Sequence, residues 1–326
     1  IYMDQARTDG VEELLAEARP VFEELLDHHE FGYDCRRQLS IVESMAAGIA
    51  MRSGRMEDGE ASLRKAIEWT AAMQRDPQIR ALHGTNQLNL ARFLKSNKRY
   101  EEASGVIDQL LIGLADVTKQ DDYTWPVPRY VRTMALNERV RLLQLQGEEE
   151  QAIAAAPATI ELIDELRRDY ENVPELPRLR STTHGNLGVI YYGRQDWPEA
   201  IRLSELAVAD ATEALQLAPD ERQALQFQAT HQRVLVTSLR NHGDWQRLEQ
   251  EALKLGALRI PAMWREGAAR ELLRCCAHVS SERAADLREQ ALLWLLRASK
   301  EGRTVAVADE LYDAIRSDKR FQELSR

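Results

Sequence analysis

The segment THGNLGVIYYGRQDWPEAIRLSELA, residues 183–207, decides the fold. Leu187, Gly188 and Tyr191, then Trp197, Ala200 and Ala207, put small and large residues at the intervals where two antiparallel helices touch closely. With Gly188 as the close-contact position of a first helix, the same frame finds Ala47, Ala91, Val140 and Val236, at steps of 44, 49, 48 and 48 residues. The turn between helices then carries Gly54, Lys98, Gly147, Gln195 and Gly243, and two residues later stand Met56, Tyr100, Glu149, Trp197 and Trp245, mostly large side chains able to plug the top of a pair. The small residue of the second helix is Gly59, Ala103, Ala152 and Ala200, with Leu248 breaking the rule. Further along come Leu63/Ala66, Ile107/Leu110, Ala156/Thr159, Ser204/Ala207 and Ala252/Leu255. In the third copy Val140 is bulky, and Pro157 should start or kink its second helix, because proline removes a backbone donor.

This spacing resembles that of the tetratricopeptide repeat (TPR), whose usual unit is about 34 residues. The longer steps imply that each second helix runs on or is followed by a long connection. Composition agrees with an all-α chain: helix formers dominate, and Gly and Pro together number 26 of 326 residues. The segments around 121–128, 170–177 and 218–220 read as breaks between pairs. The expected fold is a right-handed TPR α-solenoid of about five helix pairs plus a C-terminal capping pair. Residues 1–260 form the solenoid with extended repeats. Its first pair is incomplete, since Val11–Leu26 reads as a second helix alone, and residues 261–326 form the capping helices and tail.

A net charge of −10 argues against nucleic-acid binding over the whole surface. No apolar run approaches the roughly 18 residues of a membrane span, so no membrane insertion is expected. The start, IYMDQARTDG, lacks a signal-peptide pattern and an initiator methionine, and the chain reads as a fragment of a longer protein. Cys35, Cys275 and Cys276 form no paired framework and read as buried structural thiols in a reducing, cytoplasmic compartment.

Phe22–Leu39 and Leu162–Leu179 share a texture: a helix end, an aromatic-acidic linker, then a basic start to the next helix. Together with the tail they resemble the extended TPR arrays C-terminal to the kinase domain of planctomycete-type bacterial serine/threonine kinases. The tail match consists of Leu311, Ile315, Arg316, Phe321, Gln322 and Leu324, in the pattern L-x3-[LI]-R-x4-F-Q-x-L, with Lys319 where the resemblance expects proline. That resemblance implies a parent kinase, of which this piece would be a regulatory or substrate-recruiting region.

The sequence holds none of the phosphate-loop, catalytic-loop, zinc or nucleophile-elbow motifs of the common enzymes, so neither catalytic residues nor a cofactor are expected. His28-His29-Glu30 is the one dense ligand-like cluster, and neighbouring positions at a helix end rarely converge on a metal, so no metal is expected. His184 and His231 fall near inward positions and read as satisfied polar contacts.

First helices line the inner surface of such an array. The frame puts Arg52, Asn89, Arg92, Lys95, Asn137, Arg141, Asn186, Tyr192, Arg233 and Arg240 on that face. Asn can bond the backbone of an extended peptide, and Arg can grip a carboxylate through two bonds. The partner so implied is a protein or peptide with an acidic or phosphorylated segment. The arrangement is similar to the grooves of co-chaperone and kinesin-light-chain repeats, whose full residue pattern is not reproduced. The same residues would also serve as exposed polar positions ion-paired with nearby Glu and Asp.

Overall fold

The computed structural model describes residues 5–28, 30–122, 127–258, 261–305 and 308–325. Among these residues it is all-α, and no helix is long and apolar enough to cross a membrane. The contacts divide the chain into two compact units, Ile1–Leu162 and Ile163–Arg326. The first contains α1 (Gln5–Glu24), α2 (Gly32–Arg52), α3 (Met56–Ala71), α4 (Pro77–Ser96), α5 (Tyr100–Gly113), α6 (Pro128–Leu145) and the start of α7 (Glu149–Asp169). The second takes the rest of α7, then α8 (Glu175–Gly193), α9 (Trp197–Leu217), α10 (Arg222–His242), α11 (Trp245–Ala257), α12 (Ala262–Cys275), α13 (Ser281–Lys300) and the short α14 (Lys319–Gln322).

The five turns aligned by the frame share one conformation. Gly54, Gly147 and Gly243 have φ of 78°, 81° and 83°, and Lys98 and Gln195 adopt the same left-handed region at 61° and 60°. The next residue in each case donates its N–H to the carbonyl five positions back: Arg55 to Ala50, Arg99 to Leu94, Glu148 to Leu143, Asp196 to Tyr191 and Asp244 to Leu239, at 2.8–3.0 Å. This is the Schellman closure of a helix C-terminus. The residue that closes one helix also starts the next, and Asp196 and Asp244 cap with their side chains, accepting from the N–H groups of Glu199 and Arg247. Turns this short make the paired helices antiparallel neighbours.

Packing follows the same frame. Ala47, Ala91, Val140, Gly188 and Val236 are all buried, as are Gly59, Ala103, Ala152, Ala200 and Leu248 opposite them. A methyl group on Gly188 would lie 3.2 Å from Ser204 Oγ, so α8 and α9 approach closely there and even an alanine would press on the serine. Behind the contact, Leu88, Leu94, Ile107, Leu110 and Leu142 form the core of the first unit, each worth roughly 1.5–3 kcal/mol relative to exposure. In the second unit Leu239, Leu248, Leu272, Leu287 and Leu295 join one core with Tyr312, Ile315 and Phe321 of the tail. Met56, in contrast, is 45% exposed, and Glu149 and Trp197 are half-buried, whereas Tyr100 and Trp245, also half-buried, pack against the cores of their units as expected. The two tryptophans also find ring partners: Trp197 meets Tyr192 edge-on, and Trp245 stacks on His278 at 3.7 Å.

The expected break at Pro157 does not occur: α7 runs through it unbroken. Pro157 lies on the exposed side, where a carbonyl released from the helical ladder can turn to water. The break at 218–220 holds, with α9 ending at Leu217. Of the segment 121–128, residues 123–126 lie outside the described residues. Lys319 is the first residue of α14, behind the cap Asp318, and that is the helical position at which proline fits best, so its departure from the tail pattern leaves the local geometry intact. All three cysteines are free thiols, with Cys35 and Cys275 buried and Cys276 only half-buried. Burial pushes the Cys275 thiol up to about 12, which keeps it protonated and inert.

Candidate functional site

In the first unit the predicted cations converge on a carboxylate. Lys95 of α4 donates to Glu138 Oε1 on α6, and Arg92 Nε lies 3.7 Å from the other oxygen of the same group. The Glu138 side chain is only 10% exposed. Arg141 sits one turn further along α6 and is held below the ordinary guanidinium range by desolvation, with Glu138 opposing that shift. Arg141 also donates to Gln144. Arg52 is exposed, Asn89 is half-buried and Asn137 is buried. The cations of this face are therefore largely matched by an acid of the neighbouring helix.

The second unit differs. Arg233 and Arg240 of α10 line a cleft of about 580 Å³ against α12, with Val236 and Leu255 on its floor and Met263, Trp264, Arg270, Glu271 and Arg274 opposite. Glu271 is the one acid among four arginines in that lining. Its Oε1 accepts from Arg240 Nη1 at 2.9 Å and from Arg274 Nη1 at 2.6 Å. Its Oε2 is buried with no hydrogen-bond partner among the described residues. Arg270 turns away to Asp309 and Tyr312 of the tail. Arg233 is exposed and lies over the Trp264 ring, 5.3 Å from its centroid, with no ion pair among the described residues. Met263 is 58% exposed beside it. Nothing lies within 4 Å of where a Gly267 side chain would begin, so this glycine keeps the cleft open. Asn186 is buried and Tyr192 is half-buried, in contact with Trp197.

A second polar cluster lies inside this unit. His184 Nδ1 is 2.8 Å from Asp210 Oδ2, while Arg180 donates to Asp210 Oδ1 at 2.6 Å and to Asp164 at 2.7 Å. His184 is thus satisfied, as expected. His231 is not: it is 5% exposed, and neither ring nitrogen has a hydrogen-bond partner among the described residues. Its ring lies against Gly185, where a methyl group would overlap the imidazole, and beside Phe227. Desolvation lowers its pKa to about 4, so it is neutral at pH 7 and acts as an apolar ring. Of the cluster His28-His29-Glu30, His29 lies outside the described residues; among those described, no group of three metal-ligating side chains gathers.

Sequence reasoning missed Glu138, Glu271 and Trp264. Glu138 was within reach: it stands two residues before Val140, as Asn89 stands before Ala91 and Asn186 before Gly188. Glu271 and Trp264 lie on α12, outside the five aligned copies, and no signal in the frame points to them.

No family model and no curated protein matches the chain. Solved structures do match. BtubC of P. vanneervenii shares 18% identity at a TM-score of 0.56, over 75% of this chain and 89% of that one. The S. pombe nuclear import adaptor Nro1 shares 10% at a TM-score of 0.52, over 90% and 98%. A signal transduction ATPase with numerous domains from Pyrococcus horikoshii, carrying a tetratricopeptide repeat sensor, shares 12% at 0.59, over 90% of this chain and 42% of that one. At these identities the likeness is one of fold, and that fold is the TPR-like α-solenoid.

Proposed function

We propose that the chain is a protein-interaction module that holds an acidic or phosphorylated segment of a partner, with the α10–α12 cleft as its anchor. The observation that carries this reading is Arg233, without an ion pair among the described residues and spread over Trp264 in a cleft lined by three further arginines and one acid. A cation stacked on an aromatic face keeps its N–H edge available for a carboxylate or phosphate, and the exposed Met263 and half-buried Trp264 supply apolar area beside it. The Nro1 likeness adds support, since that protein is described as an adaptor. In this reading the cleft lies where the repeat array of residues 1–260 meets the closing helices of 261–326. The remaining first-helix residues, Arg52 and Asn89 among them, would extend contacts along the partner.

The test uses Gly267→Leu. The Cβ of a leucine there has nothing within 4 Å and its branch enters the cleft, so the protein should melt no lower than wild type while binding of an acidic peptide falls at least tenfold by fluorescence anisotropy. Unchanged binding would remove the cleft from consideration.

A second reading, the regulatory or substrate-recruiting region of a serine/threonine kinase, is favoured by the tail. Ile315 and Phe321, two residues of its closing pattern, are 5% and 2% exposed and serve as core. Reading the gene upstream of Ile1 tests it: a kinase domain supports it, and an unrelated reading frame removes it.

A further inference from the structure

We propose that Glu271 is a resident acid that occupies the ligand's place, so that an anionic partner binds the α10–α12 cleft by exchange rather than by filling a vacant site. This rests on the anionic-partner reading above and concerns how that site is regulated. Three observations carry it. Glu271 bridges Arg240 and Arg274 through a single oxygen, leaving its other oxygen buried without a hydrogen bond among the described residues. A carboxylate ordinarily accepts through both oxygens, so Glu271 leaves half of its acceptor capacity unused and is easier to displace than a fully bonded carboxylate. The same device recurs in the first unit, independently: Glu138 is taken by Lys95 with Arg92 close by. Lys95 and Arg240 hold one frame position, each four residues after its anchor, Ala91 and Val236. Two separate sites thus close a basic first-helix position with an acid from the next first helix.

The physical consequence is a threshold. A ligand carboxylate meeting Arg240 and Arg274 has to replace an existing pair of charge-assisted bonds, so a lone acidic side chain gains little. A segment with several acids, or a dianionic phosphate, also engages Arg233 and displaces Glu271. The cleft would therefore discriminate against single charges, which abound on protein surfaces, in favour of concentrated ones.

The experiment uses the full chain and a fluorescein-labelled decapeptide of alternating Glu and Leu, with its Gln counterpart as control. Glu271→Gln keeps the shape and removes the resident charge. It should tighten binding of the Glu peptide about tenfold in low salt, with no change for the Gln peptide. Equal or weaker binding by Glu271→Gln, with wild type still binding, overturns the exchange and leaves the anionic-partner reading standing, because the acid then acts only to position the arginines. Binding by neither protein overturns that reading and the exchange with it. Should thermal melting show Glu271→Gln unfolded, Glu271→Ala, which removes the charge and the bulk together, makes the same measurement at the same cleft, with the same outcomes.

Discussion

The His231 ring packs so closely on Gly185 that a Cβ there would overlap it, and its burial makes the protein sensitive to acid. Unfolded histidine protonates near 6.5, but His231 in place does so only near 4, because burial disfavours the charged ring. Between those values the unfolded chain binds the proton and the folded one does not, so stability falls as pH drops below 6.5 and levels off near 4. The loss amounts to roughly 3 kcal/mol. Of the charged groups facing the ring, Asp210 opposes the shift and His184 adds to it. His231→Phe should flatten urea-derived stability across pH 4–6.5, and a slope as steep as wild type would place the sensitivity elsewhere. Gly185→Ala should destabilise by about 1–3 kcal/mol at neutral pH through overpacking. Gly185 does not stand out in the sequence, and His231 reads there as a satisfied polar contact. The aligned frame marks Gly188 for closeness, and the ring over Gly185 comes from a different hairpin.

At the scale of the helix, the shared turn is what made the fold readable. Glycine at 54, 147 and 243 signals the left-handed residue directly, and the frame then locates Lys98 and Gln195, where composition gives no hint. A side chain in that conformation is strained by roughly 1–2 kcal/mol, part of which glycine's larger unfolded-state freedom offsets. Lys98→Gly and Gln195→Gly should each raise stability by about 0.5–1 kcal/mol in chemical denaturation, and a loss instead would mean those side chains hold their turns. The limits of sequence reading show on the same elements. Pro157 looks like a breaker until its exposure is known, and burial depends on what α7 packs against. Ion pairs are less legible still: Arg55–Glu12, Arg99–Glu60, Arg247–Glu205 and Arg283–Glu249 each tie the start of a helix to an acid on an earlier one, 34–43 residues back. Long side chains reach across whichever helices tertiary packing brings together. Each such pair has at least one partner open to solvent, so water and salt screen it and it contributes little to stability.

For the whole chain, contacts stay close in sequence, and repeat architectures transmit damage mainly to nearest neighbours. Ala91→Leu, at a fully buried contact, should therefore accelerate hydrogen exchange in α4, α5 and adjoining helices while amides of α12 and α13 keep their protection. Uniform acceleration throughout would indicate a single cooperative block instead. Five aligned copies were enough to deduce this plan from sequence, whereas the cleft depends on α12, which matches none of them well. The segment after α13 carries a last implication. Tyr312, Ile315 and Phe321 lie folded against that hairpin, fastened by Arg320 to Glu289 and by Arg303 to Glu266. Peeled away, they would leave Leu272, Leu287 and Leu295 without their cover, and the loss of that burial would fall on the last hairpin first.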